Sequence, residues 1–461
     1  MKPTADRAEA SPTKQFFVSM LTRDISLDDA ILDLLDNCLD GAMRIADGHT
    51  VDYAKHFVKI KLASDEFSIE DNCGGIPREV AINYAFKVGR EPDDDRDSDS
   101  ETIGMYGVGM KRAIFKMGKN ALVRARHGDD TFEVPITSEW LEAKNWDPLP
   151  INEPTEASEQ LPEPGTRIVV RDLYEGVARH FDNEAFESKV RTAISEHFTM
   201  FLQWGLKVEL NERLVEPVRV EVLVSEREDG PAPYVYRKTI DGVVVSITVG
   251  RNTNRALGND DEEDAGFERD RSSATAGWTV LCNDRAVIVG DKGRLTGWGD
   301  GIPLYHPQFA IITGIIGFRS KRADKLPVTT TKRALDTSSN VWLESLVKMK
   351  EGMRVWIDYT NRWKNQASSE QLQARHWEDA RPMPLSKAIA AVSQRAAAKK
   401  SEDEGVEFNP KKSKVLPEPE AKKPSDRRVT FTKPIEEIRL VGVALLDDTD
   451  ARPGAKFATA D

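Results

Sequence analysis

The chain has 461 residues and a formal net charge of −12. That length fits two or three domains at roughly 150 residues each, and no stretch approaches the roughly 20 apolar residues of a membrane span. The acidic balance argues against nucleic acid as the main partner, because such binders carry a basic excess or a strong basic face. Three cysteines, Cys38, Cys73 and Cys282, are few, odd in number and far apart. They fit a reducing, cytoplasmic setting and support neither a disulfide framework nor a zinc site. The N-terminus has no apolar core segment of the signal-peptide kind.

In chain order, residues 27–45 read as a helix, with Ile31, Leu34, Leu35 and Cys38 forming one apolar face. Residues 57–63 and 67–71 alternate as strands. Residues 91–101 are acidic and aperiodic, a loop; a glycine-rich turn then opens a helix over 108–117. Strands follow at 121–127 and 166–173, separated by a Pro- and Glu-rich loop at 147–164. Residues 183–204 read as one amphipathic helix, and 206–217 as a hairpin turning at Asn211. Apolar stretches at 243–249, 277–289 and 309–318 read as strands, with a polar loop at 251–276. Helix is expected from 341 to 398 with a proline interruption at 381–384. Residues 399–424 predict disorder, and a short apolar patch follows at 435–446.

Four elements carry candidate chemistry. On the first helix, Asp29, Asp33, Asn37 and Asp40 fall four, four and three residues apart and share a face. A stripe of this kind is ordinarily a solvated surface, but an amide oxygen among carboxylates suits Mg²⁺, which takes oxygen ligands and keeps waters and phosphate oxygens. DNCGGIP (71–77) sets Asp71 at a strand end before two glycines, where a ligand can approach backbone closely. Asp71 can accept from an exocyclic amine such as that of adenine. GMYGVGMKRA (104–113) places Gly104, Gly107 and Gly109 before a helix, where free N–H groups cradle phosphate; Val108 lies among them, and Lys111 adds a point charge. Gly165 and Thr166 open a strand.

The order of these four elements is more specific than any one of them. With DLLDNCLDGA, DNCGGIP, GMYGVG and PGTRIVVRDLY in place, the sequence over about residues 15–340 resembles the GHKL superfamily of gyrases, heat-shock chaperones, histidine kinases and mismatch-repair ATPases. It is most similar in pattern to the mismatch-repair and Microrchidia branches. The resemblance implies an α+β fold: a Bergerat-type α/β sandwich over 1–178, a ribosomal-protein S5-like transducer over 179–345, a helical extension over 346–398 and a mostly disordered tail over 399–461.

It also implies roles. Asn37 coordinates Mg²⁺, Asp71 reads the adenine amino group with Gly75 beside the ring, and Thr166 supports the water network there. Gly104, Gly107, Val108, Gly109 and Lys111 wrap the triphosphate of ATP. Asp33 stands where the general base is usually a Glu, and Lys332 in PVTTTKR (327–333) falls where a lysine touches the γ-phosphate, with Lys325 as the rival. A 1 Å displacement of a catalytic group costs on the order of 10²-fold, so the shorter Asp33 implies slow hydrolysis. The expected function is a slow Mg-dependent ATPase whose lid closure drives homodimerisation and gates a protein partner, reached through the C-terminal tail. The alternatives are a nucleotide-gated binding module with little hydrolysis, and a DNA clamp using KKSK (411–414) and DRR (426–428). A histidine kinase is disfavoured, because no phospho-accepting helix pair precedes the Asn box.

Overall fold

Alternation of apolar and polar side chains builds the first sheet. In β1 (Phe57–Leu62) the side chains of Val58, Ile60 and Leu62 are buried, and in β2 (Glu66–Asp71) Phe67, Ile69 and Asp71 share the buried face. The period of two in β2 thus delivers a carboxylate to the core side of the sheet. The computed structural model describes residues 13–46, 50–89, 101–104, 107–154, 161–252, 276–329, 332–363, 376–395 and 405–418. Residues 419–461 lie outside the described residues, and the DRR segment and the apolar patch at 435–446 fall there. Most of the two acidic loops, 90–100 and 253–275, is likewise outside them.

Five more strands complete the sheet: β3 (Gly118–His127), β4 (Asp130–Ile136), β5 (Gly165–Leu173), β6 (Lys207–Leu210) and β7 (Arg213–Leu214). The order is β4-β3-β5-β2-β1-β6-β7, with β1 and β6 parallel. The helices of this half are α1 (Lys14–Arg23), α2 (Leu27–Ile45), the short α3 (Arg78–Val80) running into a π-turn over Ala81–Ala85, α4 (Gly109–Met117), α5 (Ser138–Glu142), α6 (Glu175–Phe181), α7 (Glu184–His197) and α8 (Thr199–Gln203). At the start of α2 the hydroxyl of Ser26 accepts from the Asp29 N–H at 3.2 Å. Asp28 and Asp29 then fill the first turn, where the helix dipole favours negative charge.

Residues 179–216 pack with this first half, past the boundary expected at 178. Val190 and Ile194 of α7, Val208 and Leu210 of β6, and Val215 all lie in the core that also holds Leu35 and Phe67. The parallel pairing of β6 with β1 joins residues some 150 positions apart, which no local pattern announces. The helix expected over 183–204 breaks at Phe198, whose backbone (φ −107°, ψ 16°) leaves the helix. The hairpin turns at Asn211 and Glu212, both left-handed (φ 47° and 63°), as a two-residue turn with right-handed strand twist requires.

The second sheet runs β12-β11-β13-β10-β9-β15. Its strands are β9 (Tyr234–Ile240), β10 (Val243–Arg251), β11 (Gly277–Cys282), β12 (Arg285–Asp291), β13 (Ile312–Arg319) and β15 (Val406–Phe408). The single stretch expected at 277–289 is a hairpin, because Asn283 and Asp284 turn left-handed (φ 44° and 65°). Among the described residues the helix expected over 341–398 is interrupted. Helix α9 (Asn340–Trp363) packs Trp342, Met349, Met353 and Trp356 on the face that carries Val245, Ile247 and Phe318. Helix α10 (Leu385–Arg395) packs Ala388, Ile389 and Val392 on the other face, against Val235, Leu281 and Ile315. Between them β14 (Ala380–Met383) pairs with β8 (Val222–Ser225).

Strand β15 lies in the tail expected to be disordered. Its backbone extends the edge at β9, and Phe408 is buried against α10. The Lys- and Glu-rich composition hides this short segment, because two apolar residues suffice where an edge strand supplies the hydrogen bonds. Replacing Phe408 with Ala removes a buried ring and is expected to lower the unfolding free energy by about 3 kcal/mol in urea denaturation. A change under about 0.5 kcal/mol would mean that 405–418 does not hold to the body.

Candidate functional site

The acidic row on α2 is not a solvated stripe. Asp28, Asp33, Asp36 and Asp40 are all buried, and a buried carboxylate must find cations or N–H donors. Asp29 accepts from the Ser26 hydroxyl at 2.7 Å and pairs with Arg333. Asp33 pairs with Arg112 of α4 and lies 3.6 Å from Lys332 Nζ. Asp40 accepts the N–H groups of Ile103 at 2.6 Å and Gly104 at 2.8 Å. Asn37 is the exposed member of the row.

Asp36, which lies outside the row of Asp29, Asp33, Asn37 and Asp40, is fully buried at 0% exposure. Arg285 Nε meets its Oδ1 at 2.7 Å and Lys332 Nζ its Oδ2 at 2.7 Å. Burial alone would raise this carboxyl, but the charges of Arg285 and Lys332 outweigh it and hold the group below the usual carboxylate range. Burial likewise pulls Lys332 down, while Asp36 and Asp33 more than restore it. The rival Lys325 donates to the Asp241 carbonyl at 3.0 Å, on the β9–β10 turn.

Asp71 lies beside α2. Its Oδ1 accepts the Cys73 N–H at 2.7 Å, and the Cys38 thiol and the Thr166 N–H also hydrogen-bond to the carboxylate. Cys38 follows Asn37 directly, so the turn after β2, the start of β5 and the middle of α2 meet at one place. Two glycines allow this approach. A Cβ on Gly165 would stand 1.9 Å from the Asp71 carbonyl oxygen, and one on Gly75, at φ +69°, 1.9 Å from that of Arg126. Desolvation pushes the Asp71 carboxyl up to about 6, against the hydrogen bonds that lower it.

The glycine segment reaches the same place from the other side. Gly109 begins α4, and a Cβ there would lie 3.5 Å from that of Asp33. Gly107 is left-handed (φ 64°), and no side chain caps α4 at Val108, which leaves the first N–H groups of the helix for an anion. Gly104 differs from expectation: its N–H goes to Asp40 rather than outward. Lys111 is buried and donates to the Ala85 carbonyl at 2.9 Å, so its charge is directed at the π-turn. A separate groove of about 760 Å³, lined among others by Val18, Phe115, Lys116 and Tyr174, contains none of the candidate residues.

The structure therefore brings Asp33, Asn37, Asp71, Gly75, Gly107, Val108, Gly109, Thr166 and Lys332 to one region of the first half. Sequence reasoning missed Arg112, Arg285 and the role of Asp36. The one available signal was Arg285 itself, a charge interrupting the apolar run 277–289.

Residues 25–166 match the family model described as Histidine kinase-, DNA gyrase B-, and HSP90-like ATPase. The match spans α2, the Asp71 turn, the glycine segment and Thr166, and supports a GHKL-type ATPase domain with ATP binding over this segment. Arg285 and Lys332 lie outside it. No curated protein matches the chain.

The residues fit Mg·ATP. Among the described residues no group of three or more His, Cys, Asp or Glu could hold a metal alone. Asn37 offers one exposed amide oxygen, an oxygen donor of the kind Mg²⁺ takes while phosphate and water fill the rest of its shell. The raised Asp71 carboxyl gives a direct check. An acid whose folded value lies above its unfolded one costs stability as pH rises from about 4 to 6, and the cost is then constant. Asp71→Asn removes that term, so relative to the parent its stability should improve by on the order of 3 kcal/mol between pH 4 and pH 7. A pH-independent gap in urea titrations would contradict the assignment.

Proposed function

We propose that the chain is a slow Mg-dependent ATPase whose second sheet responds to the nucleotide bound on the first. The observation that carries this reading is the 3.6 Å approach of Lys332 Nζ to Asp33 Oδ1. A loop of the second half thereby places a cation at the candidate base of the first, nearly 300 residues earlier in sequence. Charge stabilisation and positioning are what phosphoryl transfer chiefly needs. In this reading Asp71 accepts the adenine amine with Gly75 beside the ring and Thr166 on the water network. Asn37 would hold Mg²⁺, which would neutralise phosphate charge when bound. The N–H groups at Gly107, Val108 and Gly109 face the phosphates, and Asp33 orients the attacking water.

The second half, with its mixed six-stranded sheet between two helices, takes the part of an S5-like transducer. ATP-dependent homodimerisation and gating of a protein partner belong to the same proposal, as does a cytoplasmic setting, with all three cysteines free and buried. Among the described residues no helix is long and apolar enough to cross a membrane. A nucleotide-gated module with little turnover is the second reading. It is favoured by the short Asp33 side chain and by the hold of Arg112 on its carboxylate. A DNA clamp has less support, since Lys411 of KKSK is paired with Asp358 at 2.7 Å.

The test combines titration calorimetry, turnover and mass. The parent should bind ATP with Mg²⁺ dependence, turn it over slowly and double in mass with a non-hydrolysable analogue. Asn37→Ala should raise the nucleotide Kd at least about tenfold and erase its Mg²⁺ dependence, an effect of one lost charge-assisted contact. Lys332→Ala should lower kcat by about 10²-fold, the scale of one transition-state charge contact. Turnover surviving in Lys332→Ala would remove that residue from the chemistry.

A further inference from the structure

The surroundings of Lys332 say how its charge is kept when no phosphate is present. Two hydrogen bonds and a left-handed backbone fix its frame. Its carbonyl accepts from Arg285 Nη1 at 2.9 Å, its N–H donates to the Thr329 carbonyl at 2.9 Å, and its backbone is left-handed at φ 57°. Arg285 is itself held: 3% exposed along its side chain, 2.7 Å from Asp36 and 5.3 Å from the centroid of the Phe198 ring. What remains free to move is the butyl-ammonium arm of Lys332. Its Nζ lies 2.7 Å from Asp36 and 3.6 Å from Asp33, two carboxylates one turn apart on α2.

We infer that Asp36 and Arg285 form a resting seat for Lys332, and that the lysine reaches the terminal phosphate of a nucleoside triphosphate only by leaving Asp36. The inference rests on the ATP reading above and adds to it a competitor for the lysine and a positioning role for Asp36. The seat is built for exchange. Breaking a buried ion pair is costly when it strands a charge. Asp36 has two cations, so the departure of Lys332 leaves it still paired with Arg285. The arm swings from a fixed anchor, because Arg285 holds the Lys332 carbonyl whichever partner Nζ takes. A diphosphate lacks the terminal group that draws the lysine out, so the seat sets how strongly the site prefers ATP over ADP.

The experiment is a double-mutant cycle on the full chain, read as the ratio of affinities for a non-hydrolysable ATP analogue and for ADP by titration calorimetry. Asp36→Asn weakens the seat and should raise that ratio about tenfold, roughly the low end for one charge-assisted hydrogen bond. Lys332→Met should lower the ratio, and adding Asp36→Asn to Lys332→Met should then change nothing. Asp36→Glu keeps the charge and should stay within about twofold of the parent. A ratio unmoved or lowered by Asp36→Asn overturns the inference. So does an equal rise in both backgrounds, which would be general electrostatics rather than release of the lysine. Should Asp36→Asn fail to fold, the parent still decides. The ¹³Cε signal of Lys332, assigned by its loss in Lys332→Met, should shift with the ATP analogue and not with ADP; a signal indifferent to both overturns the seat. A parent that binds neither nucleotide overturns the ATP reading and this inference together, whereas intact binding without an Asp36 effect overturns this inference alone.

Discussion

Helix α2 buries four carboxylates, and none of them can be left there unpaired. Asp28 takes Lys189 and Arg333, Asp33 takes Arg112 and Lys332, Asp36 takes Arg285 and Lys332, and Asp40 takes two backbone N–H groups. The partners come from five places: α4, α7, β12, the segment before α4 and the loop after β13. The positions of all these elements around α2 are tied to that one requirement. Arg285, Lys332 and Arg333 belong to the second half of the described chain, so these ions form part of the contact between the halves, beside the apolar packing of Met200 with Leu281 and Ala286.

Such a seam is a poor way to gain stability. Desolvating paired ions costs about what their attraction returns, and well-packed apolar side chains of the same volume often do as well or better. The two sheets already have apolar cores of their own, one built on Leu35, Phe67 and Val190, the other on Trp278, Met353 and Trp356. What an ionic seam adds is geometry that responds to charge. Its pairs reorganise when a further anion arrives, whereas a close-packed apolar contact does not.

The first half was legible in sequence because its site residues sit on strong local periods. The helix 27–45 and the strand ending at Asp71 follow from spacing, and strand phase alone puts Asp71 on the side of Phe67 and Ile69. What could not be read was pairing at a distance. The parallel register of β6 on β1, and the meeting of Asp36 with Arg285 and Lys332, leave no trace in any window of ten or twenty residues. Polar residues also misled where their surroundings overrode their type. Asp33 and Asp40 looked solvated and are buried, and the 277–289 run hid a turn at Asn283 because its apolar neighbours on both sides read as continuous. Composition failed at 405–408 for the converse reason: a sheet edge supplies bonds that sequence hydrophobicity does not reveal.

The balance of charge inside the site bears on its ligand. Asp33 and Asp36 share three cations, Arg112, Arg285 and Lys332, while Asp40 is satisfied by backbone. With the buried Asp40 counted, three carboxylates stand against three cations in a largely dehydrated place, although the chain as a whole carries −12. The uncapped start of α4 at Val108 and Gly109 adds the positive end of a helix dipole beside Asp33. The acidic whole-chain charge therefore does not describe this place, where Arg112, Arg285 and Lys332 gather on one helix. The shorter side chain at Asp33 follows the same logic. With Arg112 on its carboxylate, that residue serves the charge balance of the site whether or not it also activates water, which is why binding and turnover have to be measured separately.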